Sequence, residues 1–390
     1  VLLVSTLGAY AFGRSQSPAG ISPQDRQAVS LYAEALDKVR EDYVDQKAVD
    51  PKKQTYAAIE GMLDSLGDEG HTRFLTPKEV KENQAGLSGT YVGIGVQLED
   101  RDGRAVIAAP IEGSPAERAG LKTGDVVIAV DGKNVRDLAL SDIVDRVKGP
   151  EGTTVKLTVE RDSRERTFSM ERAEIRAPVA SWAKIPGTDI AQVRLSSFSD
   201  DSAKELGKSL DEARAAGARR FVLDLRSNPG GRLDQATEIA GLFLKPGKVI
   251  YIRKDASGKR EEVKVDDEAE PIGAPMTVLV NEGSASSAEI LAGALRDNGR
   301  AKVIGTRTFG TGTVLSEFDL RDGSAILLGI AEWLTPDGDF IRETGIEPDI
   351  KVKLGKDEEP VTPSEARDLS EQQILDRDPQ LRRAVQELED

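Results

Sequence analysis

The sequence predicts a multidomain α+β and α/β protein, with a helical N-terminal cap, a small domain of short strands and a larger α/β core. First, a chain of 390 residues is too long for one ordinary hydrophobic core. Second, apolar residues recur at helical spacing between residues 23 and 66, whereas short alternating runs bounded by turn residues occupy residues 88 to 172. Third, strand-like and helix-like segments alternate from residue 173 to 355, as in layered α/β domains.

The start of the chain has the composition of an export signal. Residues 1 to 14 are apolar and uncharged before Arg14, and a stretch rich in Ser, Pro and Gly follows up to Pro23. This pattern favours the remainder of a signal peptide or membrane anchor, while a short buried strand or helix is the alternative. We therefore expect an exported protein of the bacterial periplasm or cell envelope, which could be anchored to the membrane. Residues 15 to 87 would form the helical N-terminal region.

Composition excludes several classes of function. The net charge is −15 with no separate block of Lys and Arg, so nucleic acid is a poor partner, because phosphate binding needs a basic surface. The chain has no cysteine, which excludes disulfides, a thiol nucleophile and cysteine-bound zinc. His71 is the single histidine, so a metal site with several histidine ligands is excluded too. We expect no metal and no other cofactor.

Residues 88 to 172 carry several motifs of one peptide-binding module. A Gly-Ile-Gly-Val loop is followed by the segments Ser114–Asp125 and Val130–Val135 and by a Gly-Pro-Glu-Gly turn at 149–152. Together they resemble a PDZ domain, which adds a peptide as an extra strand and binds its terminal carboxylate through backbone N–H groups of the glycine loop. The alternative is a small sandwich whose glycines only form turns. The resemblance implies these peptide-binding residues: Gly93, Ile94, Gly95 and Val96.

The apolar run Met276–Val280 is predicted to be a strand that leads through a tight turn into a helix. The small residues Gly283, Ser284 and Ala285 precede Ser286, where the helix is predicted to begin. A hydroxyl at this point suits catalysis, because the helix dipole stabilises a developing negative charge. Ser286-Ser-Ala-Glu is also a capping box, and on this segment alone the capping function is favoured.

Segments far apart in the chain share the pattern of one peptidase family: Val193–Phe198, Leu223–Gly231, Gly283–Ile290, Val303–Gly310 and Gly345–Asp349. They resemble the C-terminal processing peptidases, also called tail-specific proteases, over roughly residues 25 to 390. The resemblance implies a ClpP/crotonase-like α/β serine peptidase core at 173–355, after the helical cap and the PDZ domain. The remaining residues, 356 to 390, are predicted to be an acidic helical tail.

The resemblance also implies a catalytic centre. Ser286 would be the nucleophile, and the oxyanion hole would use the N–H of Ser287 with that of Gly230 or Gly231. An ordinary turn between a strand and a helix is the alternative reading of the two glycines, and it is compatible with the first.

The position of the general base departs from the family pattern. The family has lysine at the place of Thr311 and usually glutamine at the place of Leu315. Threonine cannot act as a base near neutral pH, and leucine cannot orient one. Between Ser286 and Phe340 the chain has one lysine, Lys302, and it lies in a predicted strand well before this loop.

His71 is the candidate that could replace the lysine, because a free imidazole has a pKa of about 6.5. The segment Leu66–Thr72 resembles the histidine-bearing segment of tricorn-type peptidases, which use a Ser–His–Glu arrangement. Glu343 is the first candidate for the acid that would orient the imidazole, since its loop resembles the corresponding loop there. Alternatively, His71 has only a structural role.

Two functions follow. The first is an exported serine endopeptidase whose PDZ domain captures protein C-termini and presents them to Ser286. The second is a catalytically impaired, peptidase-like protein that acts as a PDZ scaffold for C-terminal tails. The partners would be proteins or peptides with free C-termini, and the terminal helices could pair two subunits into a homodimer.

Overall fold

A computed structural model describes residues 22–389 apart from residues 69, 70, 102, 112, 137, 356, 357 and 359. The chain divides into two compact units that meet at Gly67 and Asp68. The predicted signal or anchor segment, residues 1 to 14, lies outside the described residues. In the part that is described, no helix has the length and the apolar character needed to cross a membrane.

The first unit contains two helices, as the spacing of its apolar residues predicts. Both helices begin with proline directly after a capping side chain. The carboxylate of Asp50 accepts the N–H groups of Lys52 and Lys53 at 2.9 and 3.1 Å, which satisfies donors that a helix start leaves unpaired. The elements are α1 (Pro23–Asp42), a short 3-10 helix (Gln46–Ala48) and α2 (Pro51–Asp64).

The second unit begins with β1 (Arg73–Leu75) and α3 (Pro77–Ser88) and continues into the small domain of short strands. The main sheet of that domain has the strand order β3-β4-β5-β7-β8, which leaves β3 at an edge, and α5 packs against β3. Ile107, Val155 and Val159 are fully buried in its core. The elements are β2 (Thr90–Gly93), β3 (Val96–Arg101), β4 (Arg104–Pro110), α4 (Pro115–Ala119), β5 (Val126–Val130), β6 (Lys133–Asn134), α5 (Leu140–Val147), β7 (Thr154–Arg161), β8 (Arg164–Glu171) and β9 (Ala173–Arg176).

The larger α/β core is built around a mostly parallel sheet with the order β10-β11-β12-β15-β16-β19. Helices α6, α7 and α8 pack on one face of this sheet, and the C-terminal helices pack on the other face. The strands are β10 (Ala180–Lys184), β11 (Ile190–Leu195), β12 (Arg220–Asp224), β15 (Met276–Val280), β16 (Lys302–Gly305) and β19 (Ile350–Lys351). The helices are α6 (Ser202–Ala215), α7 (Leu233–Gly241), α8 (Ser287–Asp297), α9 (Pro363–Ala366), α10 (Glu371–Arg377) and α11 (Pro379–Glu389).

A second, antiparallel sheet lies beside the first. It contains β13 (Val249–Asp255), β14 (Arg260–Lys264), β17 (Thr313–Asp319) and β18 (Ala325–Leu334). The whole of β17 pairs with one edge of β18. The other edge of β18 pairs first with β1, at residues 325–327, and then with β13, at residues 331–334. Because β1 belongs to this sheet, His71 and Thr72, which directly precede it, lie against the core.

A buried ionic cluster attaches the C-terminal helices to the core. The side chains of Arg226, Asp224 and Asp378 are all 0% exposed, and the guanidinium lies 2.7 and 2.8 Å from the two carboxylates. Burial alone would raise the pKa of the Asp224 carboxyl, but the Arg226 guanidinium outweighs this effect and holds that pKa below its usual range. Since the folded pKa is depressed, Asp224 stabilises the fold above a pH of about 4, and this contribution is lost as the pH falls through the folded pKa.

Candidate active site

Ser286 lies at the junction of β15 and α8 in a strained backbone conformation. Its φ of 53° and ψ of −119° are rare for a residue with a side chain. Two hydrogen bonds of Ser284 stabilise the turn. Its Oγ donates to the carbonyl oxygen of Leu225 at 2.8 Å and accepts the N–H of Asn281 at 3.0 Å. The sharp turn presents Ser286 at the start of α8, where the helix dipole favours negative charge.

Glu289 fixes this turn from inside the protein. Its side chain is fully buried, and its carboxylate accepts the N–H of Ser286 at 2.9 Å, as the capping box predicts. It also accepts hydrogen bonds from Thr308 Oγ1 and from the N–H groups of Gly310 and Thr311, at 2.5, 2.7 and 3.0 Å. Glu289 therefore ties the turn at Ser286 to the 308–311 segment. From the sequence alone, the capping box predicts the bond to Ser286 but not the bonds to the 308–311 segment.

The two glycines of the turn after β12 have different functions. The N–H of Gly230 donates to Asn228 Oδ1 at 2.9 Å, so it is already used. No acceptor among the residues that the structure describes takes the N–H of Gly231 or that of Ser287. A Cβ on Gly231 would lie 2.3 Å from the carbonyl oxygen of Phe198, so only glycine fits there. Of the two glycines that the sequence left open, Gly231 is the one with an available donor.

A cavity of about 540 Å³ opens at Ser286. Its wall includes His71, Gly231, Ser287, Thr311 and Leu315, so residues from distant parts of the sequence meet there. The His71 ring is partly exposed and packs at 51° against the ring of Phe309, with 5.9 Å between the ring centroids. The rest of the wall is largely apolar, with Leu233, Ile290, Val314, Leu327 and Trp333.

Thr311 is nearly buried and fully engaged. Its Oγ1 accepts the N–H of Ser286 at 3.0 Å, and its own N–H donates to Glu289. The residue at the expected lysine position thus contacts the backbone of Ser286. It can position Ser286, but its chemistry does not allow it to accept a proton near neutral pH.

Glu343, the predicted orienting acid, is not brought to this cavity. Its side chain is 82% exposed and lies 3.9 Å from the guanidinium of Arg342. The carboxylate nearest in sequence to His71 within the described part of the core is Asp68, whose side chain is only 11% exposed. Sequence reasoning assigned no function to Asp68, although it stands within the same histidine-bearing motif.

The glycine loop at residues 93 to 96 leaves backbone N–H groups available. The carbonyl oxygen of Ile94 accepts the N–H of Ala116 at 2.8 Å, and that of Gly95 accepts Ser114 Oγ at 3.1 Å. Among the described residues, none accepts the N–H of Ile94 or Gly95. Gly95 has a φ of +78°, and a Cβ there would lie 2.2 Å from Ser114 Cβ. Val96 then begins the edge strand β3.

Comparisons with known proteins agree with this architecture. Residues 189–352 match the model of peptidase family S41, and residues 106–161 match that of a PDZ domain. A CtpA-like serine protease of Staphylococcus aureus is 35% identical over 357 residues, which cover 91% of this chain and 71% of the relative. One from Staphylococcus haemolyticus is 36% identical over 346 residues, covering 88% and 68%.

Among solved structures, the photosystem II D1 C-terminal processing protease is 30% identical, with a TM-score of 0.48, over 84% of this chain and 94% of that one. An S41 protease from Bacteroides fragilis shares the fold, with a TM-score of 0.55 at 18% identity over 82% and 89% of the two chains. Three findings decide the family: the PDZ domain, the S41 core and relatives that match over most of their length. The chain belongs to peptidase family S41, among the CtpA-like C-terminal processing serine proteases.

Proposed function

We propose that this chain is an exported serine endopeptidase in which Ser286 is the nucleophile and His71 is the general base. The observation that carries the proposal is that Ser286 and His71 line one cavity, together with the free N–H groups of Gly231 and Ser287. In the first step, Ser286 Oγ attacks the scissile carbonyl carbon while the imidazole of His71 takes the hydroxyl proton of Ser286. The two N–H groups stabilise the oxyanion that forms.

The proposal also assigns a function to the PDZ domain, which is to capture the C-terminal tail of a substrate. The edge strand β3 offers unpaired backbone groups to an extended peptide, and α5 packs beside it. The unoccupied N–H groups of Ile94 and Gly95 would bind the terminal carboxylate. Export and pairing of subunits through the terminal helices stay predictions from the sequence.

Covalent labelling with a fluorophosphonate tests the nucleophile. We expect wild-type protein to be labelled and Ser286→Ala to be unlabelled, because only an activated serine reacts at an appreciable rate. Ser257→Ala is a matched control, since Ser257 lies in an exposed turn after β13. If the wild-type protein is not labelled, the enzyme proposal is wrong and the PDZ scaffold becomes the better description.

Substitution of Gly95 tests the PDZ domain. We expect Gly95→Ala to weaken binding of a tail peptide at least about tenfold, because the new Cβ would collide with Ser114 and displace the loop. Binding is measured by fluorescence anisotropy, and labelling of Ser286 reports on the core. Gly103→Ala is the matched control, since Gly103 also has a positive φ (+73°) but its Cβ would meet no atom within 4 Å. Equal tail affinity in both variants would contradict the assignment.

Thr311 is expected to position Ser286 and not to exchange protons with it. Thr311→Val removes the Oγ1 that accepts the Ser286 N–H and keeps the shape of the side chain. We expect kcat to fall less than about tenfold, because Glu289 still accepts the same N–H group. Steady-state cleavage of a peptide measures this. A loss as large as that of a His71 variant would show that the hydroxyl takes part in the reaction.

A further inference from the structure

His71 and Thr72 are both hydrogen-bonded to Asp68. Thr72 Oγ1 donates to Asp68 Oδ2 at 2.6 Å, and the N–H of His71 donates to the carbonyl oxygen of Asp68 at 3.2 Å. Thr72 is 6% exposed and the Asp68 side chain 11% exposed, so both are almost removed from water. A hydrogen bond to a charged acceptor is stronger there than at the surface. These contacts therefore tie the backbone of His71 and the side chain of Thr72 to Asp68.

The turn that carries His71 is attached to the middle of β18. Strand β1 pairs with residues 325–327 of β18 and β13 pairs with residues 331–334, so neither strand reaches the residues in between. The N–H of Gly329 in that gap donates to Thr72 Oγ1 at 3.0 Å. A Cβ on Gly329 would lie 3.1 Å from Asp68 Oδ2, which shows how closely the turn approaches the strand. The partner of Gly329 in β17 is Leu315, which lines the catalytic cavity.

Arg342 joins the same turn to the nucleophile. Its guanidinium lies 3.0 Å from Asp68 Oδ1. Its backbone packs against Gly312, where a Cβ would lie 2.7 Å from the Arg342 nitrogen, and the next N–H, that of Glu343, donates to the carbonyl oxygen of Gly310 at 2.8 Å. These contacts lie on both sides of Thr311, which holds the N–H of Ser286. A continuous set of contacts thus leads from Asp68 through Arg342 to Ser286.

We propose that Asp68 and Arg342 form a pair of positioning residues that sets the place of His71 relative to Ser286. The proposal rests on the assignment of His71 as the base. The pair acts through the backbone of the turn and through the 310–312 segment, and it need not touch the substrate. It replaces Glu343 as the acidic element of the site, and it explains why the turn contains a nearly buried carboxylate.

Two substitutions and their combination test the pair. In Asp68→Asn the amide keeps the shape and loses the charge, and in Arg342→Gln the cation is removed. We expect each variant to lower kcat and the rate of fluorophosphonate labelling about 10- to 100-fold, with KM changed less than about twofold, because a misplaced base affects chemistry more than binding. The double variant should be no worse than the poorer single variant, since both remove one interaction. Arg342→Lys keeps the positive charge and should restore part of the activity.

Controls separate this proposal from the assignment of the nucleophile. Glu347→Gln breaks an exposed ion pair of similar length, Arg307 to Glu347 at 2.7 Å, and should leave kcat unchanged. The fluorescence of Trp182 and Trp333 reports that the core of each variant is folded. If wild type is labelled and both single variants react at the wild-type rate, the positioning proposal is wrong while the enzyme assignment stands. If the losses multiply in the double variant, the two residues act separately and the pair is refuted. If wild type itself is not labelled, both proposals fall.

Discussion

Replacement of His71 by alanine is expected to lower kcat/KM for a peptide substrate by about 10³-fold or more, because the reaction loses its general base. No second histidine exists in the chain, and the threonine at the expected lysine position is engaged with the nucleophile turn. The loss should fall on kcat, since the apolar wall of the cavity and the PDZ domain still bind the substrate. Steady-state kinetics with a tail-bearing peptide would measure both constants.

Added imidazole provides a control for this result. The His71→Ala variant leaves space in the wall of the cavity, and a small exogenous base in that space should raise the cleavage rate with increasing imidazole concentration. The Ser286→Ala variant should show no such response. Cleavage by His71→Ala at the wild-type rate would refute the histidine mechanism, and a base outside the described site would then have to be sought.

Replacement of Asp378 by alanine is expected to lower the free energy of unfolding of the core by about 3–5 kcal/mol. Asp378 Oδ2 lies 2.8 Å from the guanidinium of Arg226, and both side chains are 0% exposed. Its removal leaves a buried cation with one partner fewer, and it also takes away the acceptor for the N–H of Val361 at 2.9 Å. Urea unfolding, followed by the fluorescence of Trp182 and Trp333 in the core, would measure the change.

Asp376→Asn is the matched control for this measurement. Asp376 lies on the same C-terminal segment, and its exposed carboxylate accepts from the side-chain amide of Gln372 at 2.9 Å. We expect its replacement to change the free energy of unfolding by less than about 0.5 kcal/mol. Equal effects of the two substitutions would mean that the buried cluster contributes nothing specific to the attachment of the helices.

Turns that depend on local structure could be predicted from the sequence. A buried strand followed by small residues and a helix start is enough to predict the turn at Ser286. The glycines of the turn after β12 were assigned through a motif, although only the hydrogen bond to Asn228 distinguishes Gly230 from Gly231. Apolar periodicity does not determine where hydrogen bonding stops, and the predicted helical tail, residues 356 to 390, is divided into α9, α10 and α11.

The acid near His71 could not be chosen in this way. Glu343 was preferred because its loop resembles one in related enzymes, but the structure directs its side chain towards solvent. The position of Asp68 depends on β1, a strand of three residues that pairs with a partner some 250 residues later in the chain. So short a strand has almost no periodicity, and its pairing is a tertiary event that local patterns do not predict.

The segment from Asp224 to Gly231 contacts the C-terminal helices at one end and the cavity at Ser286 at the other. At its start, Asp224 and Arg226 hold the C-terminal helices, and at its end Gly231 offers an N–H to the catalytic cavity. Between them, Asn228 donates to the carbonyl oxygen of Leu195 at 2.8 Å and accepts from Gly230, so the two ends are mechanically linked. We therefore expect substitutions within this segment to change stability and activity together. Variants selected for one property would have to be screened for the other, as is common where stability and activity compete.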